Sequence, residues 1–187
     1  MIEVRFHGRG GQGVVLASEI LAHALFLEGK EVQAFPSFGA EQRGAPVVAF
    51  VRSDDHSIRK RTQIREPDHV VVMSSVLLNM GVDFCEGLKK QGTLVLNFAR
   101  DNQSLGRYRD YKVYVVDANP IAMKHGLGTS TVPIVNCVML GAFVGATSLV
   151  TIESLAEAIS LRLLTQSEKN ILAAREAAEA VHPLNWE

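Results

Sequence analysis

Cysteine is almost missing from this sequence: Cys85 and Cys137 are its two, 52 positions apart in a chain of 187 residues. That spacing forms neither a Cys-x-x-Cys run nor a zinc-ligand cluster. It fits a reducing, cytoplasmic setting rather than a disulfide framework. A surplus of either charge is missing too. The 19 Lys and Arg nearly cancel the 20 Asp and Glu, for a formal net charge of −1. The basic excess of a general nucleic-acid binder is therefore absent. The N-terminus has no signal-peptide h-region, because a charged strand and a glycine-rich turn occupy its place. One apolar run, residues 132–150, carries no charge over 19 positions and approaches membrane-spanning length. Pro133, Asn136, Gly141, Gly145, Thr147 and Ser148 interrupt it and no basic flank adjoins it, so it reads as a buried core helix, and no membrane span is expected. A Gly-x-Ser-x-Gly elbow, a Walker-type Gly-Lys-Ser/Thr and a His-Glu-x-x-His are all lacking. The six histidines show no ligand spacing, and both cysteines read as small core residues.

What is present starts at once. With 47% apolar residues the chain can bury a substantial core, and its length suits a single domain over residues 1–187. Residues 2–6 alternate Ile, Val and Phe with Glu and Arg and predict a strand. Val14 to Leu27 has a broad apolar face at helical spacing. Between them lies His7-Gly8-Arg9-Gly10-Gly11-Gln12-Gly13, which contains the Gly-x-Gly-x-x-Gly spacing of a dinucleotide-binding turn. Glycine tolerates positive φ and has no Cβ, so such a backbone can turn sharply and approach an anion. The free N–H groups and dipole of the helix start then favour negative charge.

The turn does not predict NAD. In a dinucleotide-binding unit a carboxylate about 20 residues past the glycines holds the ribose. The positions available here are Gln33, Ala34 and Phe35, at the end of a short second strand, and no arginine stands there for NADP. A long loop follows, Phe35-Pro36-Ser37-Phe38-Gly39-Ala40-Glu41-Gln42-Arg43-Gly44-Ala45-Pro46. Its prolines, glycines and aromatics oppose a helix and mark a functional or interfacial segment, although Glu41 and Arg43 also suit a plain solvated loop. Arg59-Lys60-Arg61 reads best as a solvated basic edge.

Apolar strands are expected at residues 47–51, 69–73, 93–98 and 113–116, with helices at 76–90 and 120–124, from Thr131 to about 146, from Thr151 to about 164 and from Ser167 to about 181. The rhythm implies an α/β fold: three layers, a mainly parallel Rossmann-like sheet with helices on both faces, and a helical C-terminal region. The alanines of the last helix allow close packing. Asn136, strongly polar in an apolar helix, needs partners and either satisfies a neighbouring loop or points into a site. In an open α/β sheet the glycine turn, the Phe38–Gly44 loop and the Thr131 segment converge where strands end and ligands bind. The expected feature is a binding surface with no catalytic set of its own.

The paired motifs Gly8-Arg9-Gly10-Gly11-Gln12-Gly13 and Phe35 to Pro46 resemble the gamma subunit of the 2-oxoacid:ferredoxin oxidoreductases. Thr131-Val132-Pro133-Ile134-Val135-Asn136 and Leu140-Gly141-Ala142 extend the resemblance over nearly the whole chain. It implies a multi-subunit complex that decarboxylates a 2-oxoacid on thiamine diphosphate, passes electrons through iron–sulfur clusters to ferredoxin and releases an acyl-CoA. Thiamine, Mg and clusters then belong to alpha, beta and delta-type partner subunits, and this chain has no Cys-x-x-Cys run or Gly-Asp-Gly signature to hold them. The resemblance further implies a role in assembly and in access or binding of CoA. The candidate cofactor-facing residues are Gly8, Arg9, Gly10, Gly11, Gln12, Gly13, Phe38, Gly39, Glu41, Arg43, Gly44 and Asn136, with no catalytic or metal-ligating residue. The loop looks closest to the pyruvate and branched-chain types; Gln42, where the pyruvate type commonly has Arg, departs from them, and 2-oxoglutarate stays open. The competing reading is a free-standing NAD(P)- or nucleotide-binding module.

Overall fold

A computed structural model describes residues 1–37, 45–80, 83–99 and 102–186, with the backbone alone at 79 and 102–104. Its centre is a seven-stranded sheet made of β1 (Ile2–Arg9), β2 (Glu31–Pro36), β3 (Pro46–Asp54), β4 (His69–Val72), β5 (Thr93–Asn97), β6 (Lys112–Val116) and β7 (His182–Pro183), in the order β2-β3-β1-β4-β5-β6-β7. β1, β4, β5 and β6 pair in parallel. β3 runs antiparallel to both β1 and β2, and β7 antiparallel to β6. Five strands, β1, β2, β4, β5 and β6, thus share one direction and the sheet is mostly parallel.

Among the described residues four long helices and one short one accompany it: α1 (Val14–Leu27), α2 (Ala118–Lys124), α3 (Asn136–Thr147), α4 (Ile152–Arg162) and α5 (Ser167–Ala180). They share one core with the sheet, in which Phe6, Val71 and Val95 of the strands meet Phe143 and Leu155 of α3 and α4. The opposite face carries a second core of Val70, Val72, Leu94, Leu96, Phe84, Leu88, Leu105 and Tyr108. Its cover comes from 3₁₀ turns at Ser75–Asn79 and Asn102–Tyr108 and from residues 83–88. β4 and β5, apolar on both sides, are buried on both, as strands between two layers must be.

Three local expectations are corrected. In place of the helix over 76–90 stand a 3₁₀ turn at Ser75–Asn79 and, at 83–90, turns without helix. The Arg5 guanidinium donates to the carbonyls of Phe84 at 2.8 Å and Glu86 at 2.7 Å, engaging acceptors that a helix would use. Gly87, at φ +72°, sits against the Arg65 backbone with no room for a Cβ. The helix expected from Thr131 begins at Asn136. A residue preceding proline avoids helical dihedrals, and Val132 instead donates to the Thr129 carbonyl while Gly128 bridges Pro133. The run at 47–51 is longer and antiparallel, because β3 returns directly from β2.

α3 is the central helix, buried from Asn136 to Val144. Gly141 and Gly145 let it press on α5, whose Ala174 and Ala178 backbones occupy the space a Cβ would need. The alanine-rich helix therefore packs closely, as its composition predicts. No helix among the described residues is long and apolar enough to cross a membrane. Cys137 lies in the helix-side core and Cys85 in the opposite one, and burial pushes both thiols up to about 12. They are packing residues, as expected.

Candidate functional site

The parallel strands β1, β4 and β5 end side by side, and a cleft of about 370 Å³ opens there. Arg9 to Gln12 form one wall, Met73 to Val76 the middle, Asn97 and Asn119 the far side, and Thr131 to Pro133 the rim. The glycine turn and the Thr131 segment do converge at the carboxyl ends of strands, where open α/β sheets bind ligands.

The turn is held from within. Gln12 closes it: its Oε1 accepts from the Arg9 amide at 2.7 Å, and its own amide donates to the Arg9 carbonyl at 3.0 Å. Gly10 donates to Ala45 O at 2.9 Å, which ties the turn to the residue just past the Phe38–Gly44 loop. Its glycines divide the work. Gly8 has no space for a Cβ beside Val14, so its bareness serves strand–helix packing. Gly13, the N-cap of α1 at φ +73°, is crowded by the Asn136 carboxamide. Gly11, at φ +89°, has nothing within 4 Å of where a Cβ would point, and with Gly10 it lines the cleft.

The electrostatics suit an anion. α1 starts without a side-chain cap and without an acid in its first turn, so the partial positive charge of its N-terminus is not neutralised locally. Arg9 is the one charged side chain lining the cleft among the described residues. Its Nε is buried with no partner among them, and a buried guanidinium N–H favours an acceptor strongly.

Of the twelve candidate positions, Arg9, Gly10, Gly11 and Gln12 line the cleft. Gly8, Gly13 and Asn136 stand behind it. Asn136 is buried at the start of α3, its Oδ1 accepting from the Cys137 amide at 2.9 Å and its Nδ2 turned to Gly13. It therefore shapes the turn from behind. Phe38, Gly39, Glu41, Arg43 and Gly44 lie outside the described residues. Sequence reasoning missed Ser74, Ser75, Asn97 and Asn119; their signal was faint, polar residues just past β4, at the end of β5 and in the first turn of α2.

Two other features fall away from the cleft. A larger cavity of about 660 Å³ lies by Glu3, Arg52, Lys60, Arg65 and Glu66, where acids and bases face one another and the Glu3–Arg52 pair at 2.7 Å is internal. Its size does not outweigh the directed polarity of the smaller cleft. The Arg59–Arg61 run is exposed, as a solvated edge is. The NAD reading fails for a reason beyond the missing acid. β3 separates β2 from β1, so the strand end that would hold a ribose lies two strand spacings, roughly 10 Å, from the turn.

The fold is thus that of an open α/β sheet with a ligand-sized cleft at its carboxyl edge. Residues 3–180 match the family model described as pyruvate ferredoxin/flavodoxin oxidoreductase, and the chain belongs to that family. It is 54% identical over 159 residues to pyruvate synthase subunit PorC of Methanocaldococcus jannaschii, spanning 85% of this chain and 84% of that one. Against the pyruvate/ketoisovalerate oxidoreductases common subunit gamma of Pyrococcus furiosus the identity is 51% over 183 residues, 96% of each chain. The crystal structure of pyruvate oxidoreductase subunit PORC from Thermotoga maritima matches with TM-score 0.82 at 36% identity over 98% of both chains. The resemblance to gamma subunits read from the two loop motifs is borne out.

Proposed function

We propose that this chain works as the gamma subunit of a complex that converts pyruvate and CoA to acetyl-CoA and CO2 with ferredoxin as electron acceptor. 2-Oxoisovalerate is the favoured second substrate, in line with the names of the relatives. The thiamine diphosphate, Mg and iron–sulfur chemistry resides on alpha, beta and delta-type partners. The thiols of this chain support that division, because both are buried, on opposite faces of the sheet, and pushed up to about 12. A cluster needs thiolates that converge.

Within the complex this chain holds a phosphate-bearing part of CoA in the carboxyl-edge cleft. The observation that carries this reading is the Arg9 guanidinium, with its buried Nε unpartnered among the described residues, beside the uncapped start of α1. An anion set there meets a fixed cation and a favourable dipole. Reconstituting the four-subunit complex with Arg9→Ala tests it. The KM for CoA should rise by about 10- to 100-fold, the equivalent of losing a charge-assisted hydrogen bond, while the KM for pyruvate holds. An unchanged KM for CoA would refute the assignment.

A further inference from the structure

Beyond the charged end of the cleft, the structure fixes the direction of an amide that faces it. Asn97 ends β5 and is buried. Its Oδ1 accepts from the Ala118 amide at 3.1 Å, at the start of α2. Its Nδ2 donates to the Met73 carbonyl at 3.0 Å, just past β4, and to Asn119 Oδ1 at 3.2 Å. An amide N–H can only donate and a main-chain carbonyl can only accept. These two neighbours therefore admit a single orientation of the Asn97 carboxamide. Asn119 inherits it: its oxygen must face Asn97, and its NH2 is left over.

Among the described residues that NH2 donates to nothing, and Asn119 is half-buried and lines the cleft. We infer that Asn97 is a positioning residue that locks Asn119 as a hydrogen-bond donor to an uncharged acceptor on the ligand. The chemistry of the surroundings agrees. Arg9 and the start of α1 lie at the β1 end. Asn97 stands two strands away, roughly 10 Å by the strand spacing, and Asn119 lies beyond the end of β6. The rest of the lining, Met73 to Val76 and Thr131 to Pro133, carries no charge, which suits an uncharged stretch. The cleft is thus polarised, with an anion at one end and a neutral carbonyl or ring nitrogen at the other. In CoA such an acceptor belongs either to the pantetheine amides or to the adenine base.

This inference rests on the placement of CoA in the cleft, and the experiment separates the two. In the reconstituted complex, Asn119→Ala should raise the KM for CoA about five- to tenfold, one neutral hydrogen bond. The KM for pyruvate and the kcat at saturating CoA should stay within about twofold. An ionised Asn97→Asp keeps an acceptor for Ala118 but sets an oxygen where the Met73 carbonyl and Asn119 Oδ1 were met by a donor, so the Met73 contact is lost and the Asn119 carboxamide reverses to present its carbonyl to the ligand. It should give a similar rise, and the double variant should show no further one, since both changes remove the same donor. Adenosine 3′,5′-bisphosphate as a competitor identifies the acceptor: weakened competition in Asn119→Ala marks the base, and unchanged competition marks pantetheine. Asn119→Ala with a normal KM for CoA, or additive effects of the two variants, overturns the relay if Arg9→Ala still raises that KM. If Arg9→Ala is also silent, the cleft is not the CoA site and both readings fall.

Discussion

The Asn136 carboxamide fills the space beside Gly13 so closely that a Cβ on the glycine would lie 2.6 Å from Nδ2. The start of the buried central helix thereby sets the conformation of the glycine turn, one linker away from β1. Gly13 is also left-handed, at φ +73°. Gly13→Ala meets both obstacles, a backbone penalty of about 1–2 kcal/mol and a displaced amide. Its expected outcome is a lowered denaturation midpoint and a raised KM for CoA. Adding Asn136→Ala relieves the overlap but not the dihedral strain, so it should recover part of the stability. Full recovery would show that the left-handed conformation is not required.

Beneath the sheet, Arg52 is buried with its Nε 2.7 Å from Glu3 Oε1, its Nη2 donating to the Thr62 carbonyl at 2.5 Å and its guanidinium over Phe35 at 5.3 Å. Removing one charge strands the other. Glu3→Gln should destabilise the chain by about 3 kcal/mol, whereas Glu3→Met with Arg52→Met should restore most of that loss, because a buried pair offers little over a packed apolar replacement. Urea titrations of the three proteins decide it. A double variant as unstable as the single one would mean that the Thr62 and Phe35 contacts matter more than the charge pairing.

That outer face also marks where sequence reading stopped. The alternation in Ile2–Phe6 correctly predicts β1, and it ordinarily implies that Glu3, Arg5 and His7 meet water. All three are buried, because residues 56–67 and 83–88 fold over them, and nothing in a five-residue pattern announces a distant cover. α1 was legible to the residue because Gly13 and Gly29 punctuate it. The antiparallel insertion of β3 was not, since Val47-Val48-Ala49-Phe50-Val51 reads the same in either direction. β7 has two residues and no period to detect. In the cleft, Gly10, Gly11 and Arg9 were visible as a motif, whereas Asn97 and Asn119 gained meaning only once β4, β5 and α2 were known to meet.

Burial of His7, with the nearby Arg5 charge adding to it, lowers the imidazole pKa to about 3. The folded state therefore prefers the neutral ring, and this stabilisation is complete above the ordinary histidine value of about 6.5. As pH falls from there toward 3 the unfolded chain takes up the proton first, and stability declines. At about pH 5 the loss amounts to roughly 2 kcal/mol. His69, half-buried and shifted down chiefly by loss of solvent around its ring, adds in the same direction. Denaturant midpoints measured across this range should show His7→Leu losing less stability on acidification than the parent chain. Parallel curves would mean that His7 finds a partner for its proton in the folded state.

The crossing of α3 and α5 is the tightest constraint on the helical layer. A Cβ at Gly141 would overlap the Ala174 carbonyl, and one at Gly145 the Ala178 carbonyl. The obstruction is main chain on both sides, so no rotamer change can relieve it. Gly141→Ala would improve helix propensity by about 1 kcal/mol in an exposed helix. Here the helices must separate instead, loosening the packing of Phe143, Ala173 and Ala177, and overpacking of this kind costs about 1–3 kcal/mol. The net effect should be destabilisation, larger for Gly141→Val than for Gly141→Ala. Because α3 also begins at Asn136, behind the glycine turn, the same variants should weaken CoA use in the assembled complex. Thermal melts of the chain, read beside the KM for CoA, test both halves of this expectation. A Gly141→Ala chain that melts higher than its parent would show that the two helices tolerate a wider spacing.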